Sequence, residues 1–320
     1  MKKWSLSFLL FCFVMVSAGC GSSSQADLVE GKTNVITSFY PLYDFSKKIG
    51  GEHVNVINLV PAGVEPHDWT PKSKDVSRTT KAELFVYQGA GFEGWVDDFI
   101  GSLKDSKLRI VEASKGATLI EGNPEHEEGK EDKGHDHGKS EDGHPDSKYD
   151  PHAWLSPKNA KKMAENIKNG LVEADPAHKA EFENNYKQFA EKLDQLDQRY
   201  RDAISKTQRK EIVVSHQAFG YLAHDYGLTQ KAIMGLAPDA EPTARDLKEI
   251  NDFVKKNQVK AIFFEELVSD KLAKTLAKDA GIETLVLNPL EGLTKEQEKA
   301  GEDYISIMDA NLQNLLKALQ

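Results

Sequence analysis

The chain has 320 residues, of which 39% are hydrophobic, 29% charged and 8% aromatic. That suffices for a sizeable core and about two domains, and a mean hydropathy of −0.54 excludes a multi-span membrane protein. A net charge of −10 with a pI near 5.5 excludes a general nucleic-acid binder, because attraction to phosphate needs a basic face.

The first residues read as a secretory signal rather than as part of the fold. Lys2 and Lys3 precede an almost wholly apolar stretch from Trp4 to Val16, followed by Ser17, Ala18, Gly19 and Cys20. The apolar stretch is too short to span a bilayer, which takes roughly 20 residues. Val16-Ser17-Ala18-Gly19-Cys20 resembles a bacterial lipobox, apart from Ser17 where Leu is usual. The resemblance implies removal of residues 1–19, acylation of Cys20 and a tether over 20–32. The other cysteine, Cys12, leaves with the signal. The mature chain is then expected to carry a lipid anchor, no disulfide and no thiolate ligand. Any metal site in it must use His, Asp and Glu.

From residue 33 the pattern alternates strand and helix. Strands are expected at Asn34–Ser38, Val54–Val60, Leu84–Tyr87 and Leu108–Val111, with a helix over Pro41–Ile49 and another opened by Thr70-Pro71. Residues 121–148 break the alternation. They hold ten acids, four lysines and His126, His135, His137 and His144, with no aromatic residue. Such a segment cannot offset its ordering entropy by burial and reads as a disordered insertion. It is either a solvated linker or a weak, multivalent metal-gathering loop, and the clustered imidazoles and carboxylates favour the second.

Ser156-Pro157 and Asp175-Pro176 each repeat the cap-plus-proline helix start. The helix expected over 176–205 carries Phe182, Tyr186, Phe189, Leu193, Leu196, Tyr200 and Ile204, a continuous apolar stripe. Strands resume at Glu211–Ser215, Ala232–Met234, Ala261–Phe264 and Thr284–Leu287. Helices are expected over Thr243–Asn257, Asp270–Ala280 and Thr294–Leu319. The fold class is therefore α/β: two lobes (33–175 and 206–320), each a mostly parallel sheet flanked by helices, joined by one long rigid helix. No Gly-rich phosphate loop with a lysine is present, so the chain is not itself an ATPase.

Two segments share a pattern: Pro66-His67-Asp68-Trp69-Thr70-Pro71 and Pro151-His152-Ala153-Trp154-Leu155-Ser156-Pro157. Each sets a histidine on a proline-bracketed turn before a helix, a pre-organised place for a ligand. His216 follows one predicted strand directly and Glu291 follows another. Open α/β folds gather ligands at such carboxyl edges. Three imidazoles and one carboxylate suit Zn²⁺ in tetrahedral geometry and suit Mn²⁺, which prefers more oxygen ligands, less well. Four protein ligands close the coordination shell, which favours carriage of the ion over catalysis. Asp150 is a candidate to orient an imidazole, Trp69 and Trp154 are candidates to pack beside the site, and Glu65 is an alternative carboxylate. His53, His178 and His224 read as ordinary surface or core residues.

These segments resemble the zinc-specific substrate-binding lipoproteins of bacterial ABC importers, the ZnuA/AdcA type, in a cluster that also holds manganese-binding relatives. The resemblance runs from Asn34 through the mature chain. Pro61-Ala62-Gly63-Val64-Glu65-Pro66-His67-Asp68-Trp69 is similar to the first ligand loop. Asp150-Pro151-His152-Ala153-Trp154-Leu155 is similar to the second, and Ser215-His216-Gln217-Ala218-Phe219-Gly220-Tyr221 to the third. Leu287-Asn288-Pro289-Leu290-Glu291 occupies the fourth. The acidic His-rich insertion is typical of the zinc members, and manganese relatives usually carry Glu at the third position and Asp at the fourth. The resemblance implies a monomeric, non-enzymatic, extracytoplasmic zinc carrier anchored through Cys20. Its partners would be a permease and a separate ATPase. A manganese importer, a secreted zinc hydrolase and a surface adhesin are the rival readings.

Overall fold

The computed structural model describes residues 27–103, 107–122, 148–238 and 242–320. The expected signal, Cys20, and the insertion histidines His126, His135, His137 and His144 lie outside the described residues.

The first lobe runs β1 (Thr33–Thr37), α1 (Tyr40–Gly50), β2 (Val54–Asn58), α2 (Ser73–Thr79), β3 (Leu84–Tyr87), α3 (Val96–Ser102), β4 (Arg109–Glu112) and α4 (Pro157–Ala174). Its four strands pair in parallel in the order β2-β1-β3-β4. All five residues of β1 are buried, as expected for a central parallel strand covered on both faces. After α5 (Lys179–Ile204) come β5 (Glu211–Val214), α6 (Gly220–Tyr226), β6 (Thr229–Ala232), α7 (Ala244–Lys256), β7 (Ala261–Phe264), α8 (Lys271–Ala280), β8 (Glu283–Val286), α9 (Lys295–Ala300) and α10 (Tyr304–Leu319). The second sheet repeats the first, parallel in the order β6-β5-β7-β8.

Four local expectations shift. The strand expected at Ala232–Met234 lies at Thr229–Ala232. It is an edge strand whose Thr229 is exposed, so backbone pairing with Glu211–Val214 defines it rather than apolar side chains. The helix expected from Thr70-Pro71 begins at Ser73, where Asp75 Oδ2 accepts the backbone N–H of Lys72 at 2.9 Å. The single helix expected over Thr294–Leu319 is two. Gly301 ends α9 at φ 72°, and Asp303 restarts the chain as α10 by accepting the N–H of Ser306 at 2.8 Å. Asp175-Pro176 opens a 3₁₀ turn over Pro176–His178 that leads into α5.

The 26 residues of α5 extend about 39 Å. This helix packs on α1 and α4 of the first lobe and on α6 and α10 of the second. It is not the sole link. One cluster of buried side chains runs from Val35 in β1 through Leu193, Leu196 and Tyr200 of α5 to Leu319 in α10. Trp154 ties the lobes further: its indole N–H donates to Pro289 O at 2.7 Å, and its own carbonyl accepts the Tyr304 hydroxyl at 2.6 Å.

A shared core predicts that both lobes unfold together. Leu196→Ala, at a fully buried position, should lower stability by about 2–5 kcal/mol within a single urea transition seen alike by circular dichroism and tryptophan fluorescence. Two separated transitions would show that the lobes fold independently.

Candidate metal centre

The carboxyl edges of the sheets and the loops beyond them supply the site. His216 lies two residues past β5, Glu265 directly past β7 and Glu291 in the loop after β8. His67 sits in the long loop between β2 and α2, which is fastened to the second lobe by the Gly63 N–H donating to Leu293 O at 2.8 Å. His152 follows no strand. Its turn hangs from the first lobe through the Gln88 side-chain amide, which donates to Pro151 O at 3.1 Å, and through the Asp150 N–H, which donates to Ile120 O at 3.0 Å. Ala153–Leu155 forms a 3₁₀ turn, and Ser156 then caps α4 ahead of Pro157.

These remote segments bring together His67, His152, His216 and Glu291, with one ligand atom from each within 4.8 Å of all the others. Glu291 Oε1 lies 3.2 Å from His152 Nε2, 3.3 Å from His216 Nε2 and 3.4 Å from His67 Nε2. The Nε2 atoms of His152 and His216 are 3.3 Å apart. Ligands about 2.0–2.1 Å from a tetrahedral zinc stand about 3.3 Å from one another, so these four spacings fit such an ion. His152, His216 and Glu291 are buried, whereas the His67 side chain retains 15% exposure. His67 packs edge-on against Phe92, with ring centroids 5.1 Å apart.

Outer contacts fix the orientation of the two buried imidazoles. His152 Nδ1–H donates to Asp150 Oδ1 at 2.8 Å, and the same oxygen accepts the His152 backbone N–H at 2.9 Å. His216 Nδ1–H donates to Glu265 Oε1 at 2.7 Å, and that oxygen also accepts from Ser215 Oγ. A carboxylate only accepts, so each Nδ1 holds a proton, and each ring aims its Nε2 at the centre, where losing the second proton would free a lone pair for an ion. Glu291 is presented by a turn with Leu290 at φ 59°, a left-handed conformation braced by the Leu290 N–H donating to Asn288 Oδ1 at 2.7 Å. The second oxygen of Glu291, Oε2, is buried with no hydrogen-bond partner among the described residues. An unpaired buried carboxylate oxygen is costly unless a cation answers it.

The electrostatics follow from this packing. Burial alone would push the His216 imidazole down, but Glu265 and Glu291 outweigh it and hold it well above the usual histidine range. Burial likewise opposes protonation of His152, and the contacts with Asp150 and Glu291 raise it nonetheless. For Glu291 burial acts upward, yet His67, His216 and His152 hold its carboxyl well below the usual range. An ion taken here must displace protons from imidazoles that hold them tightly.

The remaining candidates divide. Asp150 meets His152 as described. Trp154 is fully buried beside His152, with ring centroids 5.3 Å apart. Trp69 packs edge-on against Trp95, with ring centroids 5.5 Å apart. Glu65 accepts the His67 backbone N–H at 3.1 Å, and its carboxyl is pushed up to about 8, first by burial and then by Glu291. The sequence reading missed Glu265. Its position right after the strand Ala261–Phe264, the same logic that singled out His216, was the available signal. Phe92 was missed too, because nothing local ties it to His67.

Residues 35–318 match the family described as ZnuA, zinc-uptake complex component A periplasmic. The zinc-binding lipoprotein AdcA of Streptococcus pneumoniae is 45% identical over 315 residues, 98% of this chain. The chain spans only 60% of that relative's length. The high-affinity zinc uptake system protein ZnuA of Bacillus subtilis is 45% identical over 322 residues, covering 99% of this chain and 98% of that protein. Among solved structures, the Zn(II)-bound ZnuA-like domain of Streptococcus pneumoniae AdcA matches with a TM-score of 0.75 and 42% identity. That match covers 90% of this chain and 99% of the domain. Two parallel sheets, a long helix on both lobes and a match over nearly the whole chain agree: the protein belongs to the ZnuA family of zinc-uptake components.

Proposed function

We propose that this protein captures one Zn²⁺ between its lobes, with His67, His152, His216 and Glu291 as the four ligands, and delivers it to a membrane permease driven by a separate ATPase. One observation carries the reading: four ligand atoms from four remote segments lie within 4.8 Å of one another in a largely buried place. Four protein ligands leave no position for a reacting water, so the chain carries the ion and does no chemistry on it. The names of the relatives, zinc-binding lipoprotein and high-affinity zinc uptake protein, support the same cargo. No helix among the described residues is long and apolar enough to cross a membrane. A lipid on Cys20 would hold the protein, as a monomer, on the outer face of the cell membrane. In this reading the insertion histidines gather zinc weakly near the cleft.

The purified chain should retain one zinc by elemental analysis, with or without residues 121–148. Excess Mn²⁺ should not displace it. His216→Ala should weaken binding by roughly 100-fold or more, beyond the 10–100-fold typical of losing an outer partner. Zinc lost along with the insertion would move the site out of the cleft.

The pH dependence has a defined sign. His152 and His216 have raised pKa values in the ion-free protein. Protons therefore compete with zinc starting above the ordinary histidine pKa of about 6.5. Affinity should fall as pH drops from 8 to 5, by up to about tenfold per pH unit for each histidine that must lose a proton. Chelator competition across that range measures it, and a flat profile would remove the histidines from the ligand set.

A further inference from the structure

We propose that Gly220, at the head of α6 in the second lobe, is a positioning residue for the ligand His152 and acts through the Asp150 carboxylate. Gly220 touches no ligand atom. Its backbone φ is not positive, so its conformation does not demand glycine. What demands it is space. A methyl group added there would stand 2.5 Å from Asp150 Oδ2 and 3.1 Å from Ile120 Cδ1. The first separation is closer than real side chains approach, and the oxygen belongs to a carboxylate that is itself pinned.

Asp150 is 1% exposed. Its Oδ1 is committed to the ring and the backbone of His152, at 2.8 and 2.9 Å. Its Oδ2 is buried with no hydrogen-bond partner among the described residues and lies against the bare Cα of Gly220. Around this contact α6 grips the His152 turn twice more. The Tyr221 hydroxyl donates to Asp150 O at 2.6 Å, and Asp225 Oδ2 accepts from Ser156 Oγ at 2.6 Å. The turn that carries His152 is thus seated on a helix of the other lobe. The missing side chain of Gly220 sets how close that seat is. A methyl there must either rotate the carboxylate, which turns the imidazole it holds, or lift α6 away from the turn.

The inference rests on His152 being a zinc ligand, and the experiment separates the two claims. Zinc affinity by chelator competition, and the visible spectrum of the Co²⁺-loaded protein, are measured on the full chain. The proteins are the unaltered chain, Gly220→Ala, Asp150→Ala, the double variant and Gly101→Ala. Gly101, in α3, has open space where a methyl would go. Gly220→Ala should bind zinc about 10–100-fold more weakly, as loss of an outer partner does, and shift the Co²⁺ bands. Gly101→Ala should change neither. In the Asp150→Ala background, where the opposing oxygen is gone, adding Gly220→Ala should change affinity less than about twofold, the non-additivity of two groups acting through one contact. If Gly220→Ala fails to fold, the double variant should fold. Unchanged affinity and bands in Gly220→Ala, an equal loss in both backgrounds, or a double variant that does not regain the fold would each overturn the proposal. An unaltered chain that binds no zinc would instead overturn the reading of the site.

Discussion

A carboxylate 1% exposed to solvent, Glu291, sets the terms for the rest of the structure. A buried negative charge is tolerable only with positive charge or proton donors at hydrogen-bonding distance. Here three imidazole Nε2 atoms crowd one of its oxygens at 3.2–3.4 Å while the other oxygen has no partner among the described residues. Asp150, Glu265 and Glu65 add further carboxyl groups around the same centre. Protons on the imidazoles answer this negative charge in the ion-free protein, and a dication does so more compactly. In the proposed reading, zinc binding would trade one kind of positive charge for another and so link the ion to pH.

The fold supplies this concentration of charge by joining edges rather than by any one motif. Each sheet is parallel and covered by helices, so its strands end together at one rim. The second lobe contributes His216 and Glu265 from just past β5 and β7 and Glu291 from the loop after β8, and the first lobe contributes His67 from the loop after β2. His152 comes from neither rim and is held by contacts to both lobes. Keeping such a set in register requires lobes that do not drift. The common core along α5 and the hydrogen bonds of Trp154 to Pro289 and Tyr304 provide that rigidity.

Much of this was legible in the residues, and the failures have physical reasons. The βα alternation is strong because central parallel strands are covered on both faces: every residue of β1 is buried, and β7 is apolar throughout. An edge strand lacks that pressure, which is why the residue pattern around β6, with Gln230 and Lys231 in its middle, points three residues beyond where the strand forms. The long terminal helix reads as one stretch by apolar spacing alone, although Gly301 and the Asp303-to-Ser306 cap mark the break between α9 and α10. His67 and His152 stood out through a repeated pattern, yet the two indoles of that pattern do different work. Trp154 is buried and bonded across the lobes, while Trp69 packs on Trp95, and local spacing carries no information about that difference. Glu265 was hidden for a similar reason. An acid after a strand is ordinary until the third dimension puts His216 Nδ1 2.7 Å away.

Convergence from four remote segments has a thermodynamic consequence that a site on one loop would lack. The four ligand spacings exist only when both lobes and the His152 turn are seated, so an ion bound there binds the assembled fold and not the unfolded chain. Binding of that kind stabilises the native state by RT ln(1 + [L]/Kd), about 2.7 kcal/mol at a hundredfold excess over Kd. The same linkage would run in reverse, because anything that loosens the seam between lobes would lower affinity at the proposed site without touching a ligand. If His152 and His216 are ligands as proposed, Asp150 and Glu265, which fix the two buried imidazoles, and Trp154, which bridges the lobes, lie on the route by which packing would be converted into affinity for the ion.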